Sequence, residues 1–184
     1  MVVPEGILNC NRVVSRQSFV AGLACDERTA TKDRSYTGLS TRMTTREFTT
    51  HSAEETIVLG RTLAAALAAP KLVVLRGELG AGKTTLVKGI AEGFHAASAE
   101  NVTSPTFTLV HEYRGPEVNL YHIDLYRVDT QRELETLGLD DLRDDKSVLL
   151  IEWGEKFSRF VQERDVEITL ERLSENERQI RVIG

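Results

Sequence analysis

The chain has 184 residues, a formal net charge of −5, 41% hydrophobic and 28% charged residues, which is the composition of a soluble globular protein long enough to bury one substantial core. The acidic balance argues against a protein that grips nucleic acid by its own electrostatics, because phosphate backbones reward clustered Lys and Arg. No apolar run approaches the roughly 18 residues of a membrane span, and the two cysteines, Cys10 and Cys25, form neither a disulfide framework nor a metal quartet and suit a reducing compartment such as the cytoplasm.

Residues 1–42 mix Arg, Ser, Thr, Asp and Asn without periodicity and read as a disordered extension or as the product of a mis-assigned start, with Met43 the alternative initiator. Their one apolar patch, Phe19 to Ala24, is too short for a secretory segment, and Asp26, Glu27 and Asp33 argue against a transit peptide. Residues 43–184 read as a single domain. Order is expected from Ser52, where Ser52 and Glu55 make a capping-box pattern ahead of an Ala/Leu-rich helix running to about Ala68.

Leu72-Val73-Val74-Leu75 is a short apolar, β-branched run between Pro70 and Gly77 and reads as a buried strand. Directly after it, Gly77-Glu78-Leu79-Gly80-Ala81-Gly82-Lys83-Thr84 fits G-x-x-x-x-G-K-[ST] at every fixed position. Such a loop turns its backbone N–H groups inward around phosphates, and the next helix adds the positive end of its dipole. Lys83 would bring a mobile charge to the β/γ oxygens, and the Thr84 hydroxyl suits Mg²⁺. Leu86, Val87, Ile90, Ala91 and Phe94 recur at helical spacing afterwards, so strand, loop and helix stand in the order that nucleotide binding requires.

Further along, Pro105 forces an extended residue ahead of it. Phe107 to Tyr113 reads as a strand, and a turn at Arg114 to Glu117 leads to a second strand, Val118 to Leu125, close enough to form an antiparallel hairpin. Thr130 and Glu133 repeat the capping-box pattern ahead of a short helix ending at Gly138. Val148 to Ile151 is an uninterrupted apolar run, as in a central parallel strand, and it delivers Glu152. Val166/Ile168/Leu170 and Ile180/Val182, flanking a polar turn at Ser174 to Glu177, read as a terminal hairpin. The expected fold is α/β: a P-loop NTPase-like mixed sheet flanked by helices, with antiparallel hairpins.

A P-loop enzyme needs a carboxylate at the end of a neighbouring strand. Asp124 and Glu152 are the candidates, and spacing alone does not divide the roles between them. Mg²⁺ favours few carboxylates and several waters, which suggests Glu152 with Thr84 on the metal and Asp124 near the γ-phosphate to orient or deprotonate water. Glu152 is expected to be an exposed strand-end acid whose removal leaves the fold intact. Arg127 would either stabilise transferred charge or be an ordinary surface arginine. Trp153 would sit in the core or rim, or touch the nucleotide side of the sheet. Ser104, Thr106 and Thr108 could form a switch-like segment. The four histidines, His51, His95, His111 and His122, show no metal-ligand spacing.

Four ordered blocks, GELGAGKTT from Gly77, SPTFTLV from Ser104, HIDLYR from His122 and IEWGE from Ile151, resemble the bacterial TsaE family, P-loop ATPases of tRNA threonylcarbamoyladenosine synthesis. The resemblance runs from about Thr49 to the C-terminus. It implies ATP and Mg²⁺ as ligands and a weak, partner-dependent ATPase that serves the modification of adenosine 37 in tRNAs reading codons that begin with A. The implied partners are a TsaD-like transferase and a TsaB-like companion, with tRNA met only through that complex and no membrane involved. By position, it implies Lys83 and Thr84 at the phosphates and Mg²⁺, Glu152 at the metal, and Asp124 beside the γ-phosphate. It implies the loop residues Glu78, Leu79, Gly80, Ala81, Gly82 and Thr85 around the nucleotide, with Trp153 and Glu155 as neighbours and Ser104 to Thr106 as the switch-like segment. Where the family often has Asp, this chain has Glu78. A small-molecule kinase and a nucleotide-gated binding module without turnover are the alternatives; the short, acidic segment around Asp140-Asp141 and Asp144-Asp145 argues against the kinase.

Overall fold

β-branched and apolar runs between residues 45 and 183 make a seven-stranded sheet. The computed structural model describes residues 44–184. The expectations for residues 1–42, with Cys10, Cys25 and the alternative start at Met43, lie outside the described residues. In chain order the elements are β1 (Thr45–Thr50), α1 (Ala53–Ala64), β2 (Lys71–Arg76), α2 (Lys83–Gly93), β3 (Val110–Arg114), β4 (Asn119–Asp124), α3 (Gln131–Thr136), β5 (Ser147–Glu152), α4 (Ser158–Glu163), β6 (Val166–Arg172) and β7 (Arg178–Ile183), and the strands lie in the order β1-β7-β6-β2-β5-β4-β3. Among the described residues no helix is long and apolar enough to cross a membrane.

The centre of the sheet is parallel, since β2 pairs in parallel with β5 and β6 and β5 does so with β4. Both margins are antiparallel: β3 on β4, and β7 between β6 and β1. All six residues of β5 are buried, as expected for a strand covered on both faces. Alternation sends Val73, Leu75, Val148 and Leu150 to the face covered by α1 and α2. Leu72, Val74, Leu149 and Ile151 go to the other face, with Leu134, Phe157 and Phe160 packed over them. Because every parallel strand of the centre ends at one edge, the loop after β2, Asp124 and Glu152 emerge together.

Several expectations are corrected. β1 was not anticipated; its residues are largely exposed, and only pairing to β7, from Thr45↔Ile183 to Thr50↔Arg178, makes them a strand. Its Thr and Phe48 fit a pleated edge, a weak signal beside the apolar runs. α1 stops at Ala64 rather than about Ala68. The expected strand over Phe107 to Tyr113 begins only at Val110, because Leu109 takes φ +64° and its N–H turns back to the Pro105 carbonyl. α4 was not anticipated. Of the two capping-box patterns, Thr130/Glu133 is complete. At Ser52 the hydroxyl accepts the Glu55 N–H at 3.0 Å, but the Glu55 carboxylate accepts from His51 N–H at 2.7 Å, one residue earlier.

The helices on the nucleotide-loop face meet backbone to backbone. A Cβ on Gly89 would lie 2.0 Å from the Ile57 carbonyl oxygen, and one on Gly60 would lie 2.5 Å from that of Leu86. This contact seats α2, and with it the phosphate loop, against α1. Alanine at position 89 would gain about 1 kcal/mol of helix propensity, but the backbone it would strike cannot retreat without separating the helices. Gly89→Ala is expected to lower the unfolding free energy by about 2 kcal/mol or more, read from urea unfolding midpoints.

Candidate functional site

The loop from Gly77 to Gly82 closes between β2 and α2. At Gly77 φ is +146°, and a Cβ there would stand 2.4 Å from the Leu170 carbonyl oxygen of β6, so only glycine allows the sharp departure from β2. Gly82 is the N-cap of α2 and contributes no side chain to the first-turn amides. The helix therefore offers its N–H groups and dipole to an anion from outside.

Lys83, 4% exposed, folds back so that Nζ donates to the carbonyls of Gly77 at 2.7 Å and Glu78 at 3.1 Å. Nζ also lies 4.3 Å from the centroid of the Trp153 ring, a cation–π distance. Burial pushes the ammonium below its ordinary lysine value, against the pull of Glu152, Glu155, Asp124 and Glu78. A buried cation bonded to carbonyls rather than to a carboxylate is suited to exchange them for a phosphate oxygen, a stronger anionic acceptor.

Asp124 and Glu152 are register partners on β4 and β5. Their side chains share the α1/α2 face and project beyond the same sheet edge. Glu152 Oε1 accepts from Thr84 Oγ1 at 2.9 Å and lies 2.8 Å from His122 Nε2. Asp124 Oδ2 accepts from Ser104 Oγ at 2.9 Å and Thr106 Oγ1 at 2.8 Å, while Oδ1 accepts the Tyr126 N–H at 3.0 Å. Glu152, expected to be exposed, is 4% exposed: its carboxylate is enclosed by Thr84 at the start of α2 and by the buried His122 of β4. The next residue, Trp153, takes a left-handed conformation, φ +63°. A bulky residue held there is a local strain that the surrounding packing sustains.

Leu79, Gly80, Gly82, Lys83, Thr84 and Thr85 line a cleft of about 500 Å³ together with Ser104, Thr106, Asp124, Glu152 and Trp153. Most of the candidate residues are thus brought to one place. The side chains of Glu78, Ala81 and Glu155 are not among its lining. Ala81 is buried in the core beneath the loop, and Glu155 acts on Lys83 through space. Of the three switch-segment hydroxyls, Thr108 turns away to His111 Nε2 at 2.8 Å. Arg127 is exposed, with its guanidinium carbon 4.4 Å from the Phe107 centroid and outside the phosphate cleft, which favours the surface-arginine reading.

Two participants were missed. His122 touches Glu152 because β4 and β5 run in register, a relation the sequence carries only once the strand order is known. Arg178 lines the cleft from β7, where its Nη1 donates to the carbonyls of Ser174, Glu175 and Glu177 at 3.2, 3.1 and 3.0 Å. The β6–β7 turn opens at the loop's edge because β6 is parallel to β2. A smaller hollow of about 100 Å³ shares Gly82, Thr85 and Arg178 with the cleft and continues to Ser52, Ala53 and Thr56.

A cation site is testable from the donors present. Thr84 and Glu152 offer a hydroxyl and a carboxylate, both hard oxygens, beside the phosphate loop, and they fit Mg²⁺. Among the described residues there is no cluster of three or more His, Cys, Asp or Glu able to hold a metal. Mg²⁺ in such loops needs none, since phosphate oxygens and waters complete its shell.

A parallel sheet edge with a glycine loop, an anion-seeking helix, a buried lysine and paired strand-end acids defines a P-loop nucleotide-binding protein of the α/β class. The family model described as "Threonylcarbamoyl adenosine biosynthesis protein TsaE" matches residues 50–180, and the chain belongs to the TsaE family. It is 37% identical over 131 residues to the tRNA threonylcarbamoyladenosine biosynthesis protein TsaE of Bacillus subtilis, a match covering 71% of this chain and 80% of that protein. The protein of the same name from Aquifex aeolicus is 37% identical over 137 residues, covering 74% and 95%. The crystal structure of Bacillus subtilis YdiB superposes with a TM-score of 0.60 at 32% identity, covering 79% of this chain and 88% of that one.

Burial of Glu152 changes what its removal should do. Glu152→Ala takes from His122 Nε2 and Thr84 Oγ1 the buried carboxylate that both contact, so we expect a loss of about 1–3 kcal/mol in unfolding free energy. Glu152→Gln keeps a side-chain oxygen in place and should lose less. Urea denaturation of the two variants against the parent checks the difference.

Proposed function

We propose that residues 43–184 are an ATPase domain acting in the cytoplasm, which binds ATP with Mg²⁺ and hydrolyses it slowly to ADP and phosphate. In this reading its turnover serves threonylcarbamoyl modification of adenosine 37 in tRNAs reading codons that begin with A. A TsaD-like transferase and a TsaB-like companion are its partners, and tRNA is met through them. The observation that carries the reading is the juxtaposition of Lys83, Thr84, Asp124 and Glu152 around one cleft at the N-terminus of α2.

The loop amides and Lys83 would take the β- and γ-phosphates. To do so, Nζ leaves the Gly77 and Glu78 carbonyls for the stronger anionic acceptor. The hollow reached past Gly82, Thr85 and Arg178 offers room for the base end of the nucleotide. Mg²⁺, held by Thr84 and Glu152, would neutralise charge on the phosphate oxygens. Asp124 orients a water for attack on the γ-phosphorus: the water oxygen bonds to phosphorus, the bond to the β–γ bridging oxygen breaks, and the water proton passes towards the carboxylate.

Partner dependence has a physical source in this arrangement. Asp124 already accepts hydrogen bonds from Ser104, Thr106 and the Tyr126 backbone. Before its Oδ2 can serve a water, the 104–106 segment must yield that position. Phe107, directly after it, is 82% exposed, a handle through which a docked protein could shift the segment and raise turnover.

Hydrolysis should be slow for the chain alone and rise when the transferase pair and tRNA are added, measured as phosphate release. Phosphate appearing on a small acceptor would support a kinase instead, and no release under any condition would support a binding module. Within the stimulated complex, Asp124→Asn is expected to lower kcat by about 10²–10⁴-fold while leaving ATP affinity nearly unchanged.

A further inference from the structure

We infer that His122 is a positioning residue for the cation site, holding the Glu152 carboxylate towards Thr84 through its Nε2–H. The inference rests on the reading of Glu152 and Thr84 as the Mg²⁺ pair. It goes beyond that reading by assigning a task to a side chain that touches neither phosphate nor metal.

His122 is 0% exposed, on β4 one pleat before Asp124 and facing the same side of the sheet. Its Nε2 lies 2.8 Å from Glu152 Oε1, while its Nδ1 is buried with no hydrogen-bond partner. An ionised carboxylate only accepts, so the proton of this contact sits on Nε2. The contact makes the Nε2–H a donor pointed at one oxygen of one residue.

The oxygen concerned also accepts from Thr84 Oγ1 at 2.9 Å. Glu152 has three side-chain torsions and would otherwise hold this rotamer only through the threonine. Once Thr84 turns its lone pairs to a cation, the histidine remains to keep the carboxylate facing the metal. Oriented ligands bind metal more tightly because less freedom is lost on binding, and removing such an outer partner costs about 10–100-fold in metal affinity.

The test uses the full chain loaded with ADP, with Mn²⁺ as the probe and free Mn²⁺ read by electron paramagnetic resonance. His122→Leu removes the donor and should weaken Mn²⁺ binding about 10-fold or more, while ADP affinity measured in EDTA stays within about twofold. His122→Gln can place an amide N–H near the Nε2 position and should restore Mn²⁺ binding, whereas His122→Asn is shorter by one carbon and should not. If His122→Leu does not fold, the contrast between Gln and Asn decides. Unchanged Mn²⁺ affinity in folded Leu or Asn variants overturns the inference, as does an equal loss of ADP affinity in EDTA, which would mark a merely structural residue. Glu152→Gln, run alongside, separates the two failures. If that variant binds Mn²⁺ as the parent does, the reading of Glu152 is wrong; if it binds weakly while the His122 variants bind normally, only the role of His122 is.

Discussion

Burying a carboxylate at the end of a central strand is tolerable only when its oxygens find donors, and Glu152 sets that condition for the whole site. Its donors are Thr84 from the first turn of α2 and His122 from β4. The acid thereby ties the phosphate-loop helix to the sheet edge. Asp124, its register partner on the next strand, meets the same demand with Ser104, Thr106 and the Tyr126 amide. Each acid draws in a separate part of the cleft, the helix start in one case and the 104–106 segment in the other.

Charge balance connects the two acids to Lys83. The ammonium is desolvated, bonded to carbonyls rather than carboxylates, and faced by Trp153. Dipoles and a ring quadrupole hold a cation less firmly than a full negative charge does, so the lysine is free to exchange its partners for phosphate oxygens. The antiparallel margins complete the cleft: β3 and its preceding turn bring the hydroxyls, and the β6–β7 turn brings Arg178.

The parts of this arrangement that were legible in the sequence are those written in local chemistry. The phosphate loop is spelled by glycines, Lys83 and Thr84, and the fully buried β5 by an unbroken apolar run that ends on its acid. Asp124 and Glu152 could be paired as strand-end acids, since both follow strands. What escaped depends on neighbours distant in the chain. β1 becomes a strand only by pairing with β7, and residues 107–109 leave the extended form as the Leu109 N–H turns back to the Pro105 carbonyl. The burial of Glu152 follows from its contacts with Thr84 and His122, which come from other parts of the chain. His122 and Arg178 reach the site through strand order, a property of the assembled sheet.

Calorimetric titration of Mg²⁺ and ATP into the full chain tests the central claim, that this cleft is a triphosphate site built around Lys83. The account predicts saturable heat at one nucleotide per chain, lost in Lys83→Ala while that variant keeps the parent's far-ultraviolet circular dichroism. An absence of heat with the folded parent protein, or undiminished binding in the variant, would contradict it.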